Sequence, residues 1–304
     1  MTKFVYSFGS GKAEGSSVMR NLLGGKGCEL AEMTNLGIPV PPGFTITTQT
    51  WAHYNRAGRK FPDDMWEQVL ASLAKLEEDA GCRFGDAKRP LLVSVRSGAR
   101  VSMPGMMETV LNLGLNDTTV DGLAEWTGNE RFAWDCYRRF ITMFGDVVLG
   151  IKREAFEEHL THLKARLRVA SDPEVPGEDL RKLAQTYKDV VSERTGAPFP
   201  QDAREQLRLA IKAVFDSWFG KKAVEYRRIN NIPAEWGTAV TVMSMVFGNL
   251  GETSGTGVGF TRDPRTGERR FYAEFLANAQ GEDVVAGLRT PERIERLRDR
   301  MPAI

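Results

Sequence analysis

SVRSGARVSMPGMMETVLNLGLND, residues 94–117, decides how the rest of the chain is read. Leu91, Leu92, Val93 and Val95 lead into it as a short apolar run with the composition of a buried strand. The text then turns polar. Arg96 and Arg100 bracket Ser97 and Gly98, which sets two guanidiniums and a hydroxyl beside a residue that lets the backbone come close to a ligand. That set favours an anion, phosphate foremost, with a solvated polar turn as the alternative on local composition. Met103, Pro104, Gly105, Met106 and Met107 follow, flexible apolar side chains around a Pro-Gly turn. Methionines fill gaps in cores, but they also make adaptable covers over flat ligands, and a nucleotide needs both a phosphate clamp and a cover.

Working outward, 304 residues suffice for two or three packed units with sizeable cores. A hydrophobic content of 41% with 27% charged residues is that of an ordered globular chain. The 41 basic and 40 acidic residues leave a net charge of +1, so no global field draws in nucleic acid or an anionic membrane, and anion binding has to be local. Cys28, Cys82 and Cys136 lie far apart, fitting neither a disulfide framework nor a CxxC metal site, and point to a reducing cytoplasm. No apolar run approaches the ~20 residues that span a bilayer, and the N-terminal text MTKFVYSFG lacks a signal-peptide core.

Residues 3–10 read as a strand and residues 9–15 as a glycine-bearing loop. In NLLGGKGCELAEMTNLG, residues 21–37, Leu23, Leu30, Ala31, Met33 and Leu36 recur at near-helical spacing, so a helix is expected to begin close to Lys26. A glycine-rich helix start carrying lysine suits phosphate, because free N–H groups and the positive end of the dipole add to the ammonium. The spacing is not that of a Walker A loop. Pro39, Pro41 and Pro42 force an extended path into a strand at 44–46, and residues 62–80 read as a helix stopped by Gly81. Residues 118–220 show helical patterns at 131–148, 155–169, 177–191 and 200–219. His159 and His162 share one helix face there, with no further ligand to make a metal site, so they read as solvated. Strands return at 238–247 and in a hairpin of 258–262 with 269–275, turned by Asp263-Pro264 and Thr266-Gly267. The glycine-rich segment 251–259 is expected to border a ligand cleft, a plain hairpin being the alternative; 283–286 reads as a strand and 292–300 as a charged helix.

Three separated stretches carry a resemblance: LLGGKGCELAEM at 22–33, the opening stretch at 94–117, and MVFGNLGETSGTGVGFTRDPRTGE with EFLANAQGEDVVAGLRTP at 245–268 and 274–291. Together they resemble the nucleotide-binding N-terminal portion of the pyruvate, phosphate dikinase family, over residues 4–289. Phosphoenolpyruvate synthases share an RSSA-type strand end but neither the MPGMM run nor the NLGLND continuation. The resemblance implies an α+β chain of ATP-grasp-like type with a helical insertion subdomain: a first α/β subdomain at 1–117, a mainly helical one at 118–231, and a second α/β subdomain of the ATP cleft at 232–304.

It also implies the chemistry. The β-phosphoryl of ATP passes to a histidine, orthophosphate takes the terminal phosphoryl to give pyrophosphate, and the remaining phosphohistidine converts pyruvate to phosphoenolpyruvate, leaving AMP. By motif position Lys26 and Arg96 are the phosphate contacts, Ser102, Gly105, Met107 and Thr109 belong to the loop over the phosphates, and Glu282 and Val284 lie at the edge that meets adenine. Arg100 is left open between phosphate contact and turn brace. The resemblance implies that the phosphorylated histidine sits on a separate swivelling domain of the full-length chain; His53, His159 and His162 stand in no corresponding motif, so none inherits that role. The Mg2+ ligands are expected beyond Ile304, which makes this chain a C-terminally truncated portion not competent for turnover alone. The full-length protein is expected to be a cytoplasmic homodimer with no nucleic-acid or membrane partner. A phosphoenolpyruvate synthase-type dikinase and a non-catalytic nucleotide-binding module are the alternatives.

Overall fold

The computed structural model describes residues 2–285, 287 and 289–302. Met1, Ala286, Leu288, Ala303 and Ile304, touched by the expected domain ends and by the strand expected at 283–286, lie outside the described residues. The chain forms two compact units, Met1–Met245 and Val246–Ile304.

The first unit is built on β1 (Val5–Gly9), β2 (Lys12–Ala13), β3 (Gly43–Ile46), β4 (Arg83–Phe84), β5 (Pro90–Leu91), β6 (Val93–Ala99), β7 (Thr109–Leu113) and β8 (Thr238–Ser244). Its six-stranded sheet runs β2-β1-β3-β8-β6-β7, antiparallel at every pairing, while β4 and β5 form a separate two-stranded parallel ribbon. The β1–β2 turn is tight because Ser10 and Gly11 both take positive φ, the backbone that matches the twist of a two-residue hairpin. All four residues of β3 and the first five of β8 are buried. Successive side chains point to opposite faces, so burial without alternation means that both faces are covered. The cover comes from helices: α1 (Arg20–Asn35) packs on β6 and β8, α3 (Met65–Ala80) on β1 and β3, and α8 (Ala203–Asp216) on β6, β7 and β8. α2 (Thr48–Arg56) is started by Thr47, whose hydroxyl accepts from the Thr50 N–H.

The remaining helices are α4 (Thr119–Thr127), α5 (Glu130–Val147), α6 (Glu154–Leu167), α7 (Gly177–Thr195) and α9 (Lys221–Ile229). α5 is the most enclosed, with Phe132, Tyr137, Phe140 and Phe144 all fully buried against α4, α7 and β7. These helices belong to the same compact unit as the sheet.

The second unit holds β9 (Gly255–Phe260), β10 (Tyr272–Ala277), the short helix α10 (Gly281–Val285) and β11 (Glu292–Arg293), with the antiparallel sheet order β11-β10-β9. The expected hairpin is present, Phe260 opposite Tyr272. The second unit starts at Val246, and β8, which lies in the stretch expected as the second subdomain from 232, hydrogen-bonds between β3 and β6 in the first sheet. Two expected elements are corrected here. Residues 283–285 are helical, not extended: Asp283 lies in a turn closed by its N–H donating to the Gln280 carbonyl, and the Gln280 N–H donates back to its carboxylate. The charged helix expected at 292–300 is helical only over Leu297–Arg300, after β11 and a 3-10 turn.

Candidate functional site

The opening stretch forms β6, the loop 100–108 and β7. Val93 and Val95 are fully buried, and Arg96 sits on β6 between Thr241 of β8 and Thr109 of β7. Thr109 is therefore brought directly opposite Arg96, and the methionine loop is the connection that leaves the sheet beside it.

α1 is broken where it meets this strand. Gly24 adopts φ 70° and ψ 177°, outside the helix, so the helix restarts in GGKG as the sequence pattern predicts. The break lets two backbones touch: a Cβ on Gly24 would lie 1.7 Å from the carbonyl oxygen of Gly98, and one on Gly25 would lie 3.4 Å from that of Ala99. A helix restarted at this point leaves its first N–H groups without intrahelical acceptors.

Lys26 donates from Nζ to the Ser97 carbonyl at 2.8 Å. Its side chain reaches solvent, yet protein atoms crowd the ammonium. That partial desolvation, then repulsion from the Arg96 guanidinium, lowers its pKa from the ordinary value. Burial also lowers the pKa of Arg96, whose Nε is buried with no hydrogen-bond partner. Two cations thus stand close together, and among the described residues no carboxylate is paired with either. The fold carries a cost here that an anion would relieve. Arg100 shares the condition: its Nε is buried and unpartnered, and its guanidinium lies over Trp236, 5.5 Å from the ring centroid.

The loop 100–108 is turned at its tip by the Met106 N–H donating to the Met103 carbonyl, with Gly105 at φ 70°. Ser102 and Gly105 are exposed, Met107 is half-buried, and Met103 is buried beneath them. The far end is tied by Ser217, whose hydroxyl accepts from the Glu108 N–H at 3.4 Å and lies 4.0 Å from the Met107 sulfur. Sequence reading missed Ser217 and Trp236, because each acts through a contact made across more than a hundred residues and neither stands in a local motif.

Glu282 and Val284 lie in α10 of the second unit, both half-buried. Beside them Arg289 donates to the carbonyls of Asn278 and Ala277, closing the turn after β10. Among the described residues no group of three or more His, Cys, Asp or Glu is arranged to hold a metal ion, and no helix is long and apolar enough to cross a membrane.

The model of one family, described as the pyruvate phosphate dikinase AMP/ATP-binding domain, matches residues 20–60 and 57–304. The chain is 56% identical to a pyruvate, phosphate dikinase of Rhizobium meliloti (strain 1021), covering 97% of this chain and 33% of that protein. It is 55% identical to a chloroplastic pyruvate, phosphate dikinase 1 of Oryza sativa subsp. japonica, covering 99% and 32%. To the pyruvate, phosphate dikinase of Clostridium symbiosum it is 54% identical, covering 99% and 34%. The chain therefore spans about a third of the length of the curated relatives it matches.

Proposed function

This chain belongs to the family of the pyruvate phosphate dikinase AMP/ATP-binding domain, and on that premise we propose that it is the ATP-binding portion of a dikinase converting ATP, orthophosphate and pyruvate to AMP, pyrophosphate and phosphoenolpyruvate. In this reading Lys26 and Arg96 hold the phosphate oxygens, together with the N–H groups of the restarted α1. Phosphoryl transfer leaves a protein little covalent work; what it supplies is position and fixed positive charge over oxygens where negative charge is redistributed. The observation that carries the reading is Arg96, a guanidinium with a buried, unpartnered Nε beside an ammonium and, among the described residues, no acid paired with it.

Ser102, Gly105, Met107 and Thr109 form the cover in this proposal, with Thr109 beside the arginine it faces across the strands. For the second unit the proposal is separate: Glu282 and Val284 meet the adenine edge through main-chain groups. The arrangement is taken as ATP-grasp-like. Mg2+ accompanies ATP in this chemistry and neutralises phosphate charge, and its ligands are proposed to lie beyond Ile304. The phosphohistidine on a swivelling domain, the homodimer and the cytoplasmic location complete the proposal for the whole protein.

Titration calorimetry with ATP tests it. Arg96→Ala removes a charge-assisted contact and should weaken binding by on the order of 1.5–3 kcal/mol. Unchanged affinity would overturn the assignment.

A further inference from the structure

Arg100 carries an inference beyond the Lys26–Arg96 pair. It follows β6 immediately, and the strand's period of two leads from Arg96 through Gly98 to its position. The backbone there is pinned against the open turn of α1, since Gly24 abuts Gly98 and Gly25 abuts the carbonyl of Ala99, the residue before Arg100. Arg100 makes no hydrogen bond or ion pair among the described residues, and its Nε is buried without a partner. What it does have is Trp236, whose ring lies under the guanidinium at 5.5 Å. A cation–π contact with an indole restrains a guanidinium without using any of its N–H donors, which stay available to a ligand.

Charge decides what those donors are for. Lys26 and Arg96 lie together against β6, and Arg100, on the same strand face four residues beyond Arg96, adds a third positive charge along it; none is ion-paired with a carboxylate among the described residues. A single phosphate monoester carries roughly two negative charges near neutral pH, so three unpaired cations overmatch one phosphate and suit a chain of two or three. We propose that Arg100, oriented by Trp236, is a third phosphate contact that makes this site prefer a nucleoside di- or triphosphate over a monophosphate. The inference rests on the reading that Lys26 and Arg96 hold phosphate.

Calorimetric titrations of ATP and of AMP into the wild-type chain, Arg100→Gln, Arg100→Lys and Arg96→Ala test it, with thermal denaturation of each variant alongside. Arg100→Gln should weaken ATP binding roughly tenfold to a hundredfold, the loss of one charge-assisted contact, while AMP binding stays near the wild-type value. Arg100→Lys, which keeps the charge but loses the planar stack, should recover most of the preference for ATP. If Arg100 only braces the turn on Trp236, ATP and AMP affinities will fall together with the melting temperature, or neither will fall, and either result overturns the proposal. Arg96→Ala separates the two readings. Should it weaken ATP binding while Arg100→Gln does not, the Arg100 assignment alone fails; should it leave ATP binding unchanged, the phosphate reading itself fails.

Discussion

Arginines stand in protein-lined surroundings in two regions of the first unit, and their surroundings differ in one respect. In α5, Arg138 reaches Asp135 at 2.7 Å and Asp172 at 2.8 Å, and Arg139 reaches Asp135 at 3.1 Å. Lys164 adds a second cation to Asp172 at 2.9 Å. Burial pushes the Asp135 carboxyl up, but the guanidiniums of Arg138, Arg139 and Arg131 outweigh it and hold its pKa at about 2. Arg96, within β6, and Arg100, just after it, have buried Nε atoms and, among the described residues, no such acid. The first region is satisfied by its own chain and serves the fold. The second has no acid among the described residues, and in the proposed reading that opening receives phosphate.

That contrast can be broken in several ways, and Asp135→Asn should have the largest effect. It leaves Arg138 and Arg139 buried around a neutral amide, and the expected loss is about 3–5 kcal/mol of stability in chemical denaturation, with ATP affinity unchanged. The wild-type chain should lose part of that contribution in acid. A carboxyl whose folded pKa is lowered stabilises above its ordinary value of 3.8 and loses that stabilisation as pH falls toward about 2. Flat stability between those values would count against the network.

Gly24→Ala comes next, and it should damage both properties. Its backbone conformation is open to glycine almost alone, at a cost of about 1–3 kcal/mol for another residue, and the new Cβ would run into the Gly98 carbonyl. Separating α1 from β6 should lower the melting temperature and weaken ATP binding together. A variant that loses neither would mean that the contact between the two backbones does not build the site.

A smaller effect is expected from pH. Lys26 has a folded pKa below the ordinary 10.5, so the ligand-free chain should gain stability as pH rises through that lowered value, where the unfolded chain still holds the proton. Phosphate binding has the opposite sign: it favours the charged ammonium, so affinity should fall over the same rise in pH, with proton uptake on binding detectable in buffers of different ionisation enthalpy. Affinity that rises with pH in that range would exclude Lys26 as a phosphate contact.

The contrast also explains what could be read from the sequence. The apolar run into Arg96, the glycine pair before Lys26 and the Pro-Gly turn of the loop are local patterns, and each lies in the structure where periodicity and turn chemistry put it. Gly81, expected to stop α3, does so in the left-handed conformation. Pairing across the chain was not legible. β8 reads as a strand, but nothing in TAVTVMS says that it inserts between β3 and β6 in the first sheet. Residues 283–285 read as extended because Val284 and Val285 are β-branched, and the reciprocal bonds of Asp283 and Gln280 override that propensity. The charges are the sharpest case: Arg96 and Arg138 look alike in sequence, and only folding reveals which of them has an acid.

The thermal stability of Arg96→Met, measured with and without ATP, tests the central claim most directly. If Arg96 is an unpaired cation held for phosphate, replacing it with an apolar side chain of similar length leaves the ligand-free melting temperature unchanged or raises it, and the stabilisation that ATP gives the wild-type chain is lost. A ligand-free melting temperature that falls, with the ATP-induced rise intact, would mean that Arg96 serves the fold as Arg138 does.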